Sequence, residues 1–247
     1  KNSLPCGCKN ILPCTNDMED GISENAHALL EIASERMKLN RSKVNSLLEE
    51  YSYDIYPVKE RKKQKVFEYA LGIQMKLYKR EYADFLRAIT PISLDLMVTI
   101  MEKYCNVKLR DYIYIDTKND KIMWSKSKLM GTDVLETLEQ GYYPRPFRYG
   151  NVYSAHICII IKNLCTEDKL KDSVSALHDV EEKVRNKAAH EIMSVTDEWI
   201  YQRTGRHAEE IMNIIRYLCG RTGVVSKKEA WNSYDDMNKL IIQELEA

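Results

Sequence analysis

Apolar residues recur at intervals of three and four along most of this chain, and that period confines it to packed helices. Ala26, Leu29, Leu30, Ala33 and Met37 share one face, preceded by a capping residue at Ser23. Val44, Leu47 and Leu48 start a second helix that ends at the YSYDIY turn. Val66, Phe67, Ala70, Ile73, Leu77 and Phe85 form a longer stripe that predicts one helix from Lys59 to about Ile89. Pro91 suits the first turn of the next helix, through Leu94, Met97, Val98 and Met101. Only YIYID and KIMWS, on either side of TKND at 117–120, read as strands, and they predict one hairpin with a polar turn. Neither βαβ alternation nor an internal repeat is present. The expected fold class is all-α, a helical bundle with one small β-hairpin.

Further along, a helix at about 133–140 leads to the loop YYPRPFRYG, residues 142–150. Four helical stretches come next, at about 151–165, 168–184, 186–202 and 204–219. A last helix begins near Ser233, which with Asp236 suggests a capping box. Residues 1–20 lack periodicity and read as a tail or linker from a neighbouring domain. The expected division is a tail at 1–20, a helical connector at 21–105 and a catalytic domain at 106–247. The chain opens on Lys1 without an initiator Met and reads as part of a longer protein.

Across its 247 residues the formal net charge is zero, so no overall field advertises a polyanionic partner. A nucleic acid would have to be held by a local patch. Seven cysteines, an odd number, with no signal peptide, point to reduced thiols and a cytoplasmic setting. Cys6, Cys8 and Cys14 cluster but lack the paired C-x-x-C spacing of a zinc site, so no metal is expected. No apolar run approaches the roughly 20 residues that cross a bilayer.

Candidate chemistry is concentrated in VRNKAAHEIMSV at 184–195. Glycine-rich phosphate loops, G-x-S-x-G and H-E-x-x-H are all missing. What remains is Arg185, Asn186 and His190. Asn186 and His190 are four apart and share a helical face. A helix beginning near Asn186 would leave Arg185 at its start, beside N–H groups that favour phosphate. His moves protons near neutrality, and Arg forks onto phosphate oxygens. RNA carries its own nucleophile, the 2′-hydroxyl, so these groups suffice without a metal. One His cannot easily be base and acid together; two copies across a two-fold axis would supply both. Arg and His at this spacing also occur about once by chance in such a composition, and a structural, hydrogen-bonded pair is the alternative.

RNKAAHEI resembles the R-x4–6-H motif of HEPN ribonucleases. The closer likeness is to the Csm-type accessory nucleases of type III CRISPR systems, with EYADFLRAITP at 81–91 and the YSYD turn at 51–54 agreeing. The likeness spans roughly residues 40–200. It implies a homodimeric endoribonuclease that cuts single-stranded RNA without metal in antiviral defence. Arg185 and His190 would be catalytic and Asn186 supporting. It also implies a CARF domain, expected to lie outside this chain, that binds a cyclic oligoadenylate activator. No cofactor, no membrane and no stable DNA binding are expected. A HEPN toxin-type ribonuclease and a catalytically silent dimerisation scaffold are the rival readings.

Arg145 and Arg148, interleaved with aromatics in YYPRPFRYG, are candidates to bind RNA, against ordinary loop packing, which is favoured. His178, seven residues before Arg185, reads as a surface side chain. His27, His156 and His207 read as structural.

Overall fold

The computed structural model describes residues 22–185 and 194–246, of Arg185 only the backbone. Helices dominate them: α1 (Glu24–Met37), α2 (Arg41–Glu50), α3 (Arg61–Tyr78), α4 (Tyr82–Tyr104), α5 (Lys126–Leu129), α6 (Asp133–Tyr142), α7 (Ser154–Leu164), α8 (Asp168–Val180), α9 (Asp197–Thr204), α10 (Ala208–Thr222) and α11 (Ser233–Glu246). The strands β1 (Ile113–Asp116) and β2 (Lys121–Trp124) pair antiparallel in the register Ile113 to Trp124 and Asp116 to Lys121. The fold is all-α with the expected hairpin. No helix among the described residues is long and apolar enough to cross a membrane.

The chain divides into two compact units, one of residues 1–71 and 227–247, the other of 72–226. In the first, α1 packs on α2 and α11. Ser23 caps α1 as expected, accepting from the Ala26 N–H at 3.1 Å. Ala26, Leu29, Ile32, Val44, Phe67, Ala70 and Met237 fill the core. Each large apolar side chain withdrawn from water stabilises the unit by roughly 1.5–3 kcal/mol. At the centre, Arg36 is 1% exposed. Its Nε and Nη2 donate to the two Glu68 carboxylate oxygens at 2.8 Å each. Nη2 also donates to Ser233 Oγ at 2.9 Å, and the Tyr56 and Tyr234 rings cover the guanidinium. Ser233 is therefore not the cap that its sequence context suggests; its hydroxyl is buried and satisfies a cation.

Within the second unit, α4 is the central element and lies against α7, α8 and α10. Phe85, Leu86, Ile89, Ile92, Leu96, Met97, Ile100 and Met101 line its buried face. Pro91 lies inside this helix and does not open a new one. The break falls at Arg80, whose φ of 59° is left-handed. The Glu81 N–H reaches Lys76 O and the Arg80 N–H reaches Leu77 O, both at 2.9 Å, closing α3 in a Schellman-type turn. The continuous apolar face of α4 outweighs the one backbone bond that Pro91 forfeits. Gly141 brings α6 onto α7: a Cβ there would collide with the Ile159 side chain.

Candidate functional site

The helical hairpin α7–α8 carries the elements of interest. α7 and α8 pack together across a three-residue connection and run antiparallel. Leu170, Val174, Leu177 and Val180 bury one face of α8, and Ser175 faces the Cys158 thiol across the pair. α8 does not stop before the motif. It widens into a π-helical turn, Glu181–Arg185, with Val184 buried and the Glu181 carboxyl buried four residues before Arg185. Single π turns recur at functional sites, and inserting one residue into a helix rotates every later side chain by about 100°. Helical backbone thus continues from α8 through Arg185, and the helix start expected near Asn186 lies outside the described residues.

Asn186 and His190 lie outside the described residues, as do Cys6, Cys8 and Cys14. Beyond them, the helix expected over 186–202 is not continuous. Thr196 is extended, its hydroxyl accepts from the Trp199 N–H at 3.1 Å, and α9 starts afresh at Asp197. Asp197 also accepts from the Ala208 N–H at 2.7 Å and pairs with His207 Nδ1 at 2.8 Å. Hence α9 and α10 are fixed against each other by one carboxylate.

The other histidines divide clearly. His156 is 6% exposed and ringed by Trp124, Tyr142, Phe147 and Tyr153. Its Nδ1 accepts from the Trp124 indole N–H at 2.9 Å and the Tyr153 N–H at 3.2 Å, which puts the ring proton on Nε2. Burial pushes its pKa down to about 4, so it is a neutral structural acceptor. His207 precedes α10 and stacks on Tyr201 at 4.5 Å. His27 is exposed in the first unit. His178 departs from the expected surface position: it is half-buried, and its Nδ1 is buried without a hydrogen-bond partner among the described residues.

In the loop 142–150, Phe147 is 7% exposed and inserts against Trp124, Tyr142 and His156, so the packing reading holds for this residue. Arg145 and Arg148 stay exposed. Among the described residues no cluster of His, Cys, Asp and Glu is arranged to hold a metal ion.

Sequence reasoning overlooked Glu181, whose burial no local pattern marks. Also overlooked was a charge pattern that it had within reach: no acidic residue occurs between Glu139 and Glu167.

Comparison with known proteins points the same way. A family model described as the Cas_Csm6 HEPN domain matches residues 55–242. Among solved structures, the chain is similar to Csm6 of Enterococcus italicus bound to cyclic hexa-2′-fluoro-hexa-dAMP. The TM-score is 0.59 at 14% identity, over 89% of this chain and 57% of that one. At this identity the likeness is one of fold, and the chain spans little more than half of that neighbour's length. No curated protein sequence matches.

Proposed function

The chain belongs to the Csm6 HEPN-domain family of CRISPR systems, and from that premise we propose that it is a cytoplasmic endoribonuclease that cuts single-stranded RNA without a metal at a site shared by two copies. The observation that carries this reading is the position of RNKAAH. It lies inside the matched region, and its first residue, Arg185, closes a π-helical turn that continues a helix anchored in the core.

In the proposed reaction the RNA 2′-oxygen attacks the adjacent phosphorus. His190 of one copy accepts the 2′-hydroxyl proton as the O2′–P bond forms. The P–O5′ bond breaks, and the partner's His190 protonates the leaving 5′-oxygen. Arg185 from each copy balances the charge that grows on the phosphorane oxygens, and Asn186 supports that arrangement. Products carry 2′,3′-cyclic phosphate and 5′-hydroxyl ends. His156 is a poor alternative base or acid, because it is neutral, buried and already accepts two hydrogen bonds. The neighbour's bound cyclic hexanucleotide motivates a further part of the reading: activity answers to a cyclic oligoadenylate held outside residues 55–242.

The experiment is cleavage of a labelled single-stranded RNA by the dimer. His190→Ala and Arg185→Ala should each reduce cleavage by about 10²–10⁴-fold, with the dimer intact and EDTA without effect. Full activity in His190→Ala, or strict dependence on added Mg²⁺, removes the proposed mechanism; no cleavage by the wild-type dimer leaves the scaffold reading.

A further inference from the structure

A chain with no net charge can still concentrate positive charge locally, and this one does so around the hairpin and the loop 142–150. β2 hydrogen-bonds on its far edge to residues 150–152: the Trp124 N–H donates to Gly150 O, and the Val152 N–H donates to Ile122 O, each at 2.9 Å. That joins two acid-free segments, Lys121–Thr132 and Gln140–Thr166. The first supplies Lys126, and the second supplies Arg145 and Arg148. Neither arginine side chain has an ion-pair or hydrogen-bond partner among the described residues. Arg36 and Arg221, by contrast, are held by carboxylates.

Aromatic faces lie next to these cations. Tyr143 is 83% exposed, Tyr153 57% and Tyr149 38%. Lys126 Nζ sits 6.0 Å from the centre of the Tyr149 ring. The loop is nonetheless held firmly. Phe147 anchors it in the His156 cage, and the Arg145 N–H donates to Tyr142 O at 2.8 Å. A fixed scaffold that turns tyrosines and unpartnered arginines outward suits unpaired nucleotides: any base can stack on a ring, and phosphates meet the guanidinium forks. Duplex RNA, with its bases already stacked, offers no such faces.

The position fits as well. Because α7 and α8 are antiparallel with Cys158 opposite Ser175, the turn Glu181–Arg185 comes level with the first turn of α7 and the loop that leads into it. The π turn and the loop therefore lie towards the same end of the α7–α8 hairpin.

We propose that Tyr143, Arg145, Arg148, Tyr149 and Lys126 form a binding surface for single-stranded RNA that leads the strand to the motif. This rests on the ribonuclease reading for the identity of the strand, and the test separates the two. Binding of a fluorescent 20-nucleotide single-stranded RNA is measured by anisotropy over a salt series, in a His190→Ala background that cannot cleave. Tyr143→Ala should weaken binding about tenfold with an unchanged salt slope, and Tyr143→Phe should bind as the parent does. Arg145→Ala/Arg148→Ala should flatten the slope of log K against log salt by about 1.4, the loss of two phosphate contacts on a single strand. Equal affinity and slope in all variants, or equal affinity for duplex RNA, overturns the surface even if the wild-type protein cleaves. Weakened binding in the variants, with no cleavage by wild type, keeps the surface and removes the nuclease.

Discussion

Arg36 and the pair Arg145/Arg148 are the same side chain put to opposite uses. Arg36 is sealed in the first unit, where Glu68, Ser233 and two tyrosine rings meet its charge and donors. The loop arginines of the second unit face water with no protein partner among the described residues. A cation satisfied inside the protein has nothing left to offer a ligand, and its removal orphans Glu68. A cation left unpaired outside contributes little to folding and keeps its whole hydrogen-bonding capacity for a phosphate. Stability and recognition are therefore expected to separate cleanly between the two.

The largest effect should come from Arg36→Met, at about 3–5 kcal/mol of stability in denaturant unfolding, because the buried Glu68 carboxylate loses its counter-charge. Arg36→Met/Glu68→Leu should recover most of that loss; if it does not, the site stabilises by more than charge neutralisation. Phe147→Ala joins the two behaviours. It should cost about 3 kcal/mol by emptying the cage and should also weaken RNA binding by loosening the loop. Unchanged RNA affinity in this variant would show that the loop does not need its anchor.

The pH dependence of His156 is next in size. Its folded pKa lies near 4, below the ordinary imidazole value of 6.5, so between these values the unfolded chain binds the extra proton. Stability is therefore full above about pH 6.5 and declines as the pH falls towards 4. The decline should be on the order of 2 kcal/mol, and His156→Gln should flatten it in a series of thermal melts. The smallest effect on folding belongs to Arg145→Ala/Arg148→Ala. Its unfolding midpoint should stay within about 0.5 kcal/mol of the parent. A larger loss would mean that these arginines are structural after all and would erase the contrast with Arg36.

Much of the fold was legible because helix faces are written in local spacing. Ser23 reads as a cap from its own hydroxyl, and TKND reads as a turn from its polarity between two β-like runs. The motif and the loop could be picked out for the same reason, since their chemistry is carried by residue type. The missed boundary at Arg80 has another cause. Arg80 takes a left-handed φ of 59°. A residue with a Cβ pays roughly 1–2 kcal/mol for that conformation, so composition gives no warning of it. Packing of the adjoining helices enforces the turn, and the same packing carries α4 straight through Pro91.

Alone, the sequence determined the helical class, the single hairpin and the RNKAAH motif, because each depends on residues close together in the chain. The tertiary structure decided which arginines are sealed and which are free, that Ser233 serves Arg36 instead of a helix end, and that Phe147 turns inward while Tyr143 turns out. It also decided that α8 widens into a π turn that carries helical backbone through Arg185. Burial and charge compensation are properties of residues brought together from distant parts of the chain, and no local pattern records them.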